Sequence, residues 1–207
     1  SAGWRISEEK FWSVLKPYVP SLKIRGSWGL VGNNRIGAYQ YMQTVSVTNG
    51  ISFGDKLAQT ATFASTNPDL KWETSSEINV GLDWEMFNGR FGGSFDFYNK
   101  ETKDMLWWYD VPVPPNRYSQ TLANVGKMRN TGVELMLKGI PVQTKDFEWN
   151  TTVTLSHNTN KLISLSNDLY ETANEHETAW LGEPISQATH RLEVGKAVDR
   201  YFGLKSV

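Results

Sequence analysis

The feature that most constrains this chain is an alternation of apolar and polar residues with a period of two, which recurs in five separate stretches. From Leu22 to Leu30, every second residue is apolar or Gly, and the residues between them include Lys23 and Arg25. Successive side chains of a β-strand point to opposite faces, so each stretch predicts a strand with one apolar and one polar face. The pattern predicts strands at about 22–31, 74–86, 91–106, 127–139 and 147–160, with partial strands at 3–6 and 200–207.

The connections between the predicted strands alternate between short and long. Phe87-Asn88-Gly89-Arg90 contains an Asn-Gly pair, which predicts a type I′ hairpin turn because both central residues tolerate positive φ. Because every second connection of an up-and-down sheet lies at the same end, we expect short turns at one end and long loops at the other. The other short connections are predicted at residues 7–21, with a helical turn, and 141–146, and the long polar ones at about 32–73, 107–126 and 161–199.

This asymmetry is typical of outer-membrane barrels, which have short periplasmic turns and long extracellular loops. The predicted strands run to about 10–16 residues, longer than the roughly 5–6 of a globular strand and sufficient for the about 9–11 of a tilted membrane strand. The mean hydropathy of −0.45 is compatible with this fold, because alternating strands average to a low value. We predict an all-β fold, a segment of an antiparallel up-and-down transmembrane β-barrel with short periplasmic turns and long extracellular loops.

A soluble β-sandwich would show the same alternation, and a self-contained β-rich saccharide-binding module is therefore the alternative. Aromatic residues near predicted strand ends favour the membrane interpretation, because outer-membrane barrels carry aromatic girdles at both interfaces. The predicted strands are too few to close a barrel. We therefore expect residues 1–207 to form one partial barrel domain. The aromatic residues in question are Trp84, Phe87, Phe91, Phe147 and Trp149.

Composition argues against several other functions. Lys and Arg number 21 against 22 Asp and Glu, without a basic run, so we expect no nucleic-acid partner. With no Cys and three His, the chain offers little for catalysis, and we expect no enzyme, no metal site and no cofactor. His176-Glu177-Thr178-Ala179-Trp180 starts like a zinc-protease helix but lacks the second His. Glu171, Glu175, His176 and Glu177 have the chemistry to bind a cation, but a solvated acidic loop is the preferred interpretation.

Several short motifs follow one another in order through nearly the whole chain. One of them is Asn67-Pro68-Asp69-Leu70-Lys71-Trp72-Glu73, which is close to a hallmark of the SusC/RagA-like TonB-dependent outer-membrane transporters, a family that this chain resembles. Asn124-Val125-Gly126 and Asn130-Thr131-Gly132-Val133-Glu134 follow in register. Each motif alone is weak, but the set in this order and spacing is specific.

The resemblance implies a barrel of about 22 strands, occluded by an N-terminal plug, in the bacterial outer membrane. It also implies partners: outer-membrane lipid, TonB through an N-terminal region missing from this sequence, and a SusD-like surface lipoprotein that covers the barrel as a lid. Such proteins import glycans or peptides. On this resemblance, the chain is a segment of the C-terminal half of the barrel, with the plug domain absent, and does not transport alone.

The best binding candidate is the predicted loop that begins Trp107-Trp108-Tyr109-Asp110. Flat aromatic faces stack well on sugar rings or peptide side chains, so Trp107, Trp108 and Tyr109 are predicted to contact substrate or lid. The preferred alternative places Trp107 and Trp108 in the outer aromatic girdle. Neighbouring residues of a strand point oppositely, so one ring of the pair is expected to face the lumen or the lid.

Overall fold

The computed structural model describes residues 1–34, 36–37, 41–42, 44–63, 65, 67–167, 174–198 and 200–203. Six strands form one antiparallel sheet in the order β1-β2-β5-β6-β7-β8, while β3 pairs with β4 and β10 lies between β9 and β11. The all-β, antiparallel prediction is confirmed, and no helix in the described ranges is long and apolar enough to cross a membrane. The strands are β1 Ala2–Arg5, β2 Ser21–Asn33, β3 Val45–Phe53, β4 Lys56–Phe63, β5 Glu73–Met86, β6 Phe91–Asp110, β7 Gln120–Gln143, β8 Glu148–Ser164, β9 Glu175–Trp180, β10 Ala188–Glu193 and β11 Arg200–Tyr201.

The connections at one end of the large sheet are short. In the β5–β6 turn, Asn88 and Gly89 have φ of 56° and 86°, and the Arg90 N–H donates to the Phe87 carbonyl at 3.2 Å, which confirms the predicted turn. The β7–β8 turn comes later than predicted because β7 continues to Gln143. The β1–β2 connection contains two 3-10 helices, which confirms its helical turn. We call this end periplasmic and the opposite end extracellular.

The extracellular connections differ most from the predictions. β6 and β7 remain paired as far as Asp110 and Gln120, so the predicted loop at 107–126 shrinks to residues 111–119. Register shifts between Thr102 and Met105 break the alternation there, so the period-two pattern does not predict the part of each strand beyond them. The predicted loop at 32–73 contains the β3–β4 hairpin, and the one at 161–199 contains β9 and β10.

The predicted C-terminal partial strand at 200–207 does not join the barrel sheet. Only Arg200–Tyr201 forms a strand among the described residues of this segment, and it pairs with β10 at His190 and Arg191. The prediction was therefore wrong in its placement of this strand, because hydrogen bonding to β10 takes it into the small three-stranded sheet. Residues 204–207 lie outside the described residues.

The large sheet has two chemically different faces. One row across it reads Ile24, Leu82, Phe95, Leu135 and Leu155, and the row beside it includes Val80 and Phe97. These apolar side chains are exposed, Val80 at 47% and Leu155 at 59%. A soluble sandwich would bury such a face, whereas lipid covers it in a membrane barrel. We call this the outer face and the opposite, polar one the inner face.

Candidate functional site

The predicted aromatic contact residues lie on a strand and not on a loop. Residues 107–110 are the last four of β6, opposite residues 120–123 of β7. Trp107 packs against the small buried cluster of Leu162, Leu165 and Leu192, and its ring meets His176 edge-on with centroids 5.3 Å apart. Trp107 therefore packs within the protein, which does not support its assignment to the girdle.

A small pocket opens beside these aromatic residues. Its volume is about 110 Å³, and Trp108 on its rim is 49% exposed. Ligand sites for drug-sized molecules are usually about 300–1,000 Å³, so this pocket has room for one ring or one side chain. It is lined by Trp107, Trp108, Tyr109, Asp110, Leu165 and His176.

The first family motif folds into a tight turn against β7. Asn67 is buried; its Oδ1 accepts a hydrogen bond from the Asp69 N–H at 3.0 Å, and its Nδ2 donates to the Leu122 carbonyl at 3.0 Å. The Leu70 N–H donates to the Asn67 carbonyl at 3.3 Å, with Pro68 and Asp69 between them. Asn and Asp at the start of a turn and Pro in its second position are favoured because they pre-set this geometry. We call residues 67–73 the motif strap.

Asn124 of the second motif completes the attachment of the strap. Its Oδ1 accepts from the Lys71 N–H at 3.0 Å, and its Nδ2 donates to the carbonyls of Lys71 at 2.8 Å and Asp104 at 2.7 Å. Asp104 has φ of 57° at the β6 bulge, and its carboxylate binds the Lys71 ammonium at 2.9 Å. One buried amide therefore joins the strap, the bulge and β7.

Glu73 fixes the end of the strap to two further strands. Its Oε1 accepts from the Leu106 N–H at 2.9 Å, and its Oε2 accepts from the Asn33 side chain at 2.9 Å. Trp72 is exposed and lies against Gly32, where an added Cβ would come within 2.9 Å of its ring. The structure thus brings Asn67, Asn124 and Glu73 together as a scaffold that positions the extracellular end of β6 and β7.

The remaining motif residues lie along β7. Gly126 pairs with Met105, and a Cβ added there would lie 2.8 Å from the Met105 Cβ. Gly132 lies under the Tyr98 ring on the inner face, where a Cβ would be 2.6 Å from the ring. Glu134 lies opposite Asp96 on the same face. The close approach of the Met105 Cβ leaves no room for a side chain at Gly126, and at Gly132 a side chain would require the Tyr98 ring to move.

The inner face also carries a cluster of charged residues that the sequence pattern did not predict. The Arg25 Nε donates to both carboxylate oxygens of Asp83 at 3.2 and 3.1 Å, and its Nη2 donates to Asp96 at 2.6 Å. The guanidinium lies across Gly81, where a Cβ would approach it to 2.6 Å. The three charges come from three strands, so they become visible only once the β2–β5–β6 register is known. The net charge of these three residues is −1.

The acidic segment near His176 has a different environment from a cation site. Arg191 donates to Glu175 at 3.1 Å and to Glu177 at 3.0 Å, so one guanidinium already pairs with both carboxylates. Glu171, the fourth residue of the considered set, lies outside the described residues. Across the described ranges, no group of three or more His, Cys, Asp or Glu side chains has the geometry to hold a metal ion.

Comparisons with known proteins agree with this architecture. Residues 3–202 match the family described as TonB dependent receptor-like, beta-barrel. The TonB-dependent receptor SusC of Bacteroides thetaiotaomicron is 34% identical over 168 residues, which cover 79% of this chain and 17% of that protein. A TonB-dependent receptor of Formosa agariphila is 32% identical over 207 residues, covering 99% of this chain and 20% of the relative.

Solved structures show the same likeness. The RagAB peptide importer in its open-open state matches 94% of this chain and 19% of its own with a TM-score of 0.73 and 30% identity. The RagAB peptide transporter matches with a TM-score of 0.70 and 28% identity, over 94% of this chain and 20% of its own. The chain thus spans about a fifth of the length of these relatives. The chain belongs to the TonB-dependent receptor β-barrel family, and its large sheet is a segment of an outer-membrane β-barrel.

Proposed function

We propose that the complete protein is a TonB-dependent importer of glycans or peptides that acts with a SusD-like surface lipoprotein, and that residues 1–207 form part of its barrel wall. The observation that carries the proposal is the two-faced large sheet, apolar and exposed outside and charged inside, with short turns at one end only. An importer of this class performs no covalent chemistry. It opens and closes a path for its cargo, and the wall keeps that path separate from lipid.

In this proposal the inner face contacts the plug. The Arg25, Asp83 and Asp96 cluster lies on the inner face, about a third exposed at Arg25. Arg25 bridges the two carboxylates through Nε and Nη2 and holds the charges in fixed positions, so the wall presents a defined polar surface to a plug that must move during transport. In the same proposal, TonB acts on an N-terminal region of the complete protein.

The extracellular end of β6 and β7 is the proposed contact with cargo or lid. The motif strap fixes this ribbon, and Trp108 and Tyr109 border the pocket of about 110 Å³. A pocket of this size accepts one sugar ring or one side chain of a longer ligand. Glycans and peptides both offer such groups, and the name of the RagAB importer favours a peptide in that relative.

Replacing Trp108 with Ala in the complete protein tests this role. We expect uptake of the cognate oligosaccharide or peptide to fall about tenfold, which is about 1.4 kcal/mol, because a half-exposed stacking surface is lost. Trp28→Ala is the matched control, since Trp28 is also an exposed strand tryptophan, at 63% against 49% for Trp108, but belongs to the outer face. Uptake is measured with labelled oligosaccharide and peptide pools in cells with and without TonB.

Two outcomes separate the parts of this proposal. Uptake that is unaffected by loss of TonB would contradict the importer function itself. TonB-dependent uptake that is equal in Trp108→Ala and wild-type cells would contradict only the assignment of Trp108 as a contact residue.

A further inference from the structure

Four basic residues lie on the outer face of β6, β7 and β8 toward the extracellular end. Arg129 lies opposite Glu101 on one side and Lys161 on the other, and Lys103 and Lys127 extend the group. Glu101 accepts a hydrogen bond from Arg129 at 2.7 Å. It also forms ion pairs with Lys127 at 3.2 Å and with Lys103 at 3.3 Å. We call Lys103, Lys127, Arg129 and Lys161 the cationic rim.

The rim has more positive charge than its own carboxylate neutralises. Three of the four cations pair with the Glu101 carboxylate and cover it, so its side chain is only 17% exposed. The side chains of Lys103 and Arg129 remain about half exposed, and Lys161 forms no ion pair with any described residue. Three positive charges are therefore in excess on a surface that faces away from the inner face.

Below the rim, the outer face changes in a regular order. The nearest row on the same strands is uncharged and polar, with Asn99, Thr131 and Thr159, and Thr131 donates to Asn99 at 3.2 Å. The rows below it are largely apolar. They comprise Phe97, Val133 and His157, then Phe95, Leu135 and Leu155, then Gly93, Leu137 and Val153.

The height of the rim corresponds to the outer edge of the apolar band. Arg129 lies ten residues along β7 from Gly139, where the strand irregularity at the periplasmic end begins. Ten residues of antiparallel strand are about 34 Å long, and a tilt of about 40° reduces this to about 26 Å along the membrane normal. The apolar band of an outer-membrane barrel is about 25 Å tall. The rim is therefore at the level of the outer headgroups.

We propose that the cationic rim and the polar row beneath it bind the phosphorylated glycolipid of the outer leaflet, lipopolysaccharide, with its phosphates on the rim. The order of the rows, cationic, hydroxyl or amide, then apolar, matches the phosphate, sugar and acyl order of that lipid. Arg binds phosphate with two parallel hydrogen bonds and Lys as a point charge. Several charges on one strand surface suit a headgroup with more than one phosphate better than a phospholipid with one.

The test uses the complete protein purified in detergent, with Lys103, Lys127 and Lys161 replaced together by Gln. This variant keeps Arg129, whose bond to Glu101 joins β6 to β7. Each Lys near a lipid surface contributes about fivefold to binding, so we expect the triple variant to bind purified lipopolysaccharide roughly a hundredfold more weakly. Lys100→Gln is the matched control, because Lys100 neighbours Glu101 on the same strand but points to the inner face.

The readouts are the amount of lipopolysaccharide that copurifies with each variant and the affinity for added lipid. Wild-type protein and Lys100→Gln should bind lipopolysaccharide alike, and both should bind phosphatidylglycerol and dephosphorylated lipopolysaccharide weakly. Equal binding of lipopolysaccharide by the triple variant and wild type would overturn the proposal. Equal wild-type affinity for phosphatidylglycerol and lipopolysaccharide would also overturn it, in favour of a general anionic-lipid surface. None of these outcomes depends on what the protein imports.

Discussion

Replacing Gly93 with Val should strongly reduce assembly of the barrel in the outer membrane. Gly93 lies in the centre of the sheet, between Trp84 of β5 and Leu137 of β7. A Cβ at this position would collide with the Met136 carbonyl oxygen of the neighbouring backbone and lie 2.7 Å from the Trp84 ring. A backbone carbonyl cannot rotate away as a side chain can, so relief requires β6 and β7 to separate.

The expected cost is about 3 kcal/mol or more, at the upper end of what overpacking usually costs. This is a large part of the roughly 5–15 kcal/mol by which folded proteins are stable. The measurement is the fraction of complete protein that migrates as folded barrel on gels without heating, together with its amount in outer-membrane fractions. Gly93→Val with Trp84→Ala removes only the ring contact, so it should recover little of the folded fraction.

Gly26→Val is the matched control. Gly26 also lies on the outer face of the large sheet, but a Cβ there meets no atom within 4 Å. Val has a higher strand propensity than Gly, so this variant should assemble at least as well as wild type. If Gly93→Val assembled to the level of Gly26→Val, the close contact with the Met136 carbonyl would not constrain the sheet.

The central strands could be predicted from the sequence because their two faces meet different environments. Lipid outside and polar groups inside impose opposite requirements on neighbouring residues. Apolar and polar residues therefore alternate along β2, β5 and β8. The alternation loses its phase at the bulge before Met105, so the end of β6 was mistaken for a loop. For β3 and β4 a signal was available, since Phe53 and Lys56 flank the two-residue turn Gly54-Asp55, with Gly54 at φ of 60°.

The site was less predictable because its contacts depend on register. Asn67 and Leu122 are 55 residues apart in sequence, and Arg25 and Asp96 are 71 apart. Period-two patterning identifies which face a residue occupies but not which residue lies opposite it. The family resemblance singled out Asn67, Glu73 and Asn124. Only the paired strands show that Asn67 and Asn124 join the motif strap to β7 and that Glu73 joins it to β6.

The attachment of the motif strap to β7 should depend chiefly on Asn124. In Asn124→Leu, the Lys71 N–H and the carbonyls of Lys71 and Asp104 lose their partner while the side-chain volume is nearly kept. Leaving a buried polar group unsatisfied costs about 1–3 kcal/mol. With three groups affected, we expect the strap to open locally about a hundredfold more often, equivalent to roughly 3 kcal/mol.

Trypsin added to intact cells measures this opening, because Lys71 lies within the strap at the extracellular end. When opening is fast relative to cleavage, the cleavage rate follows the open population, so cleavage after Lys71 should accelerate about a hundredfold in Asn124→Leu. Asn124→Asp keeps the acceptor for the Lys71 N–H but loses both donated bonds and places a carboxylate oxygen against the two carbonyls, so its rate should also exceed that of wild type. Asn116→Leu removes one exposed bond to the Pro112 carbonyl in the β6–β7 connection and should leave the rate unchanged.

Cleavage after Lys71 at the wild-type rate in Asn124→Leu would mean that Asn67 and Glu73 alone hold the strap. If Asn124→Asp matched wild type while Asn124→Leu did not, the single bond from the Lys71 N–H would account for the attachment. The bonds to the carbonyls of Lys71 and Asp104 would then contribute little to it. The Lys71 N–H is the only one of the three groups that donates to Asn124, so the two variants separate its contribution from that of the carbonyls.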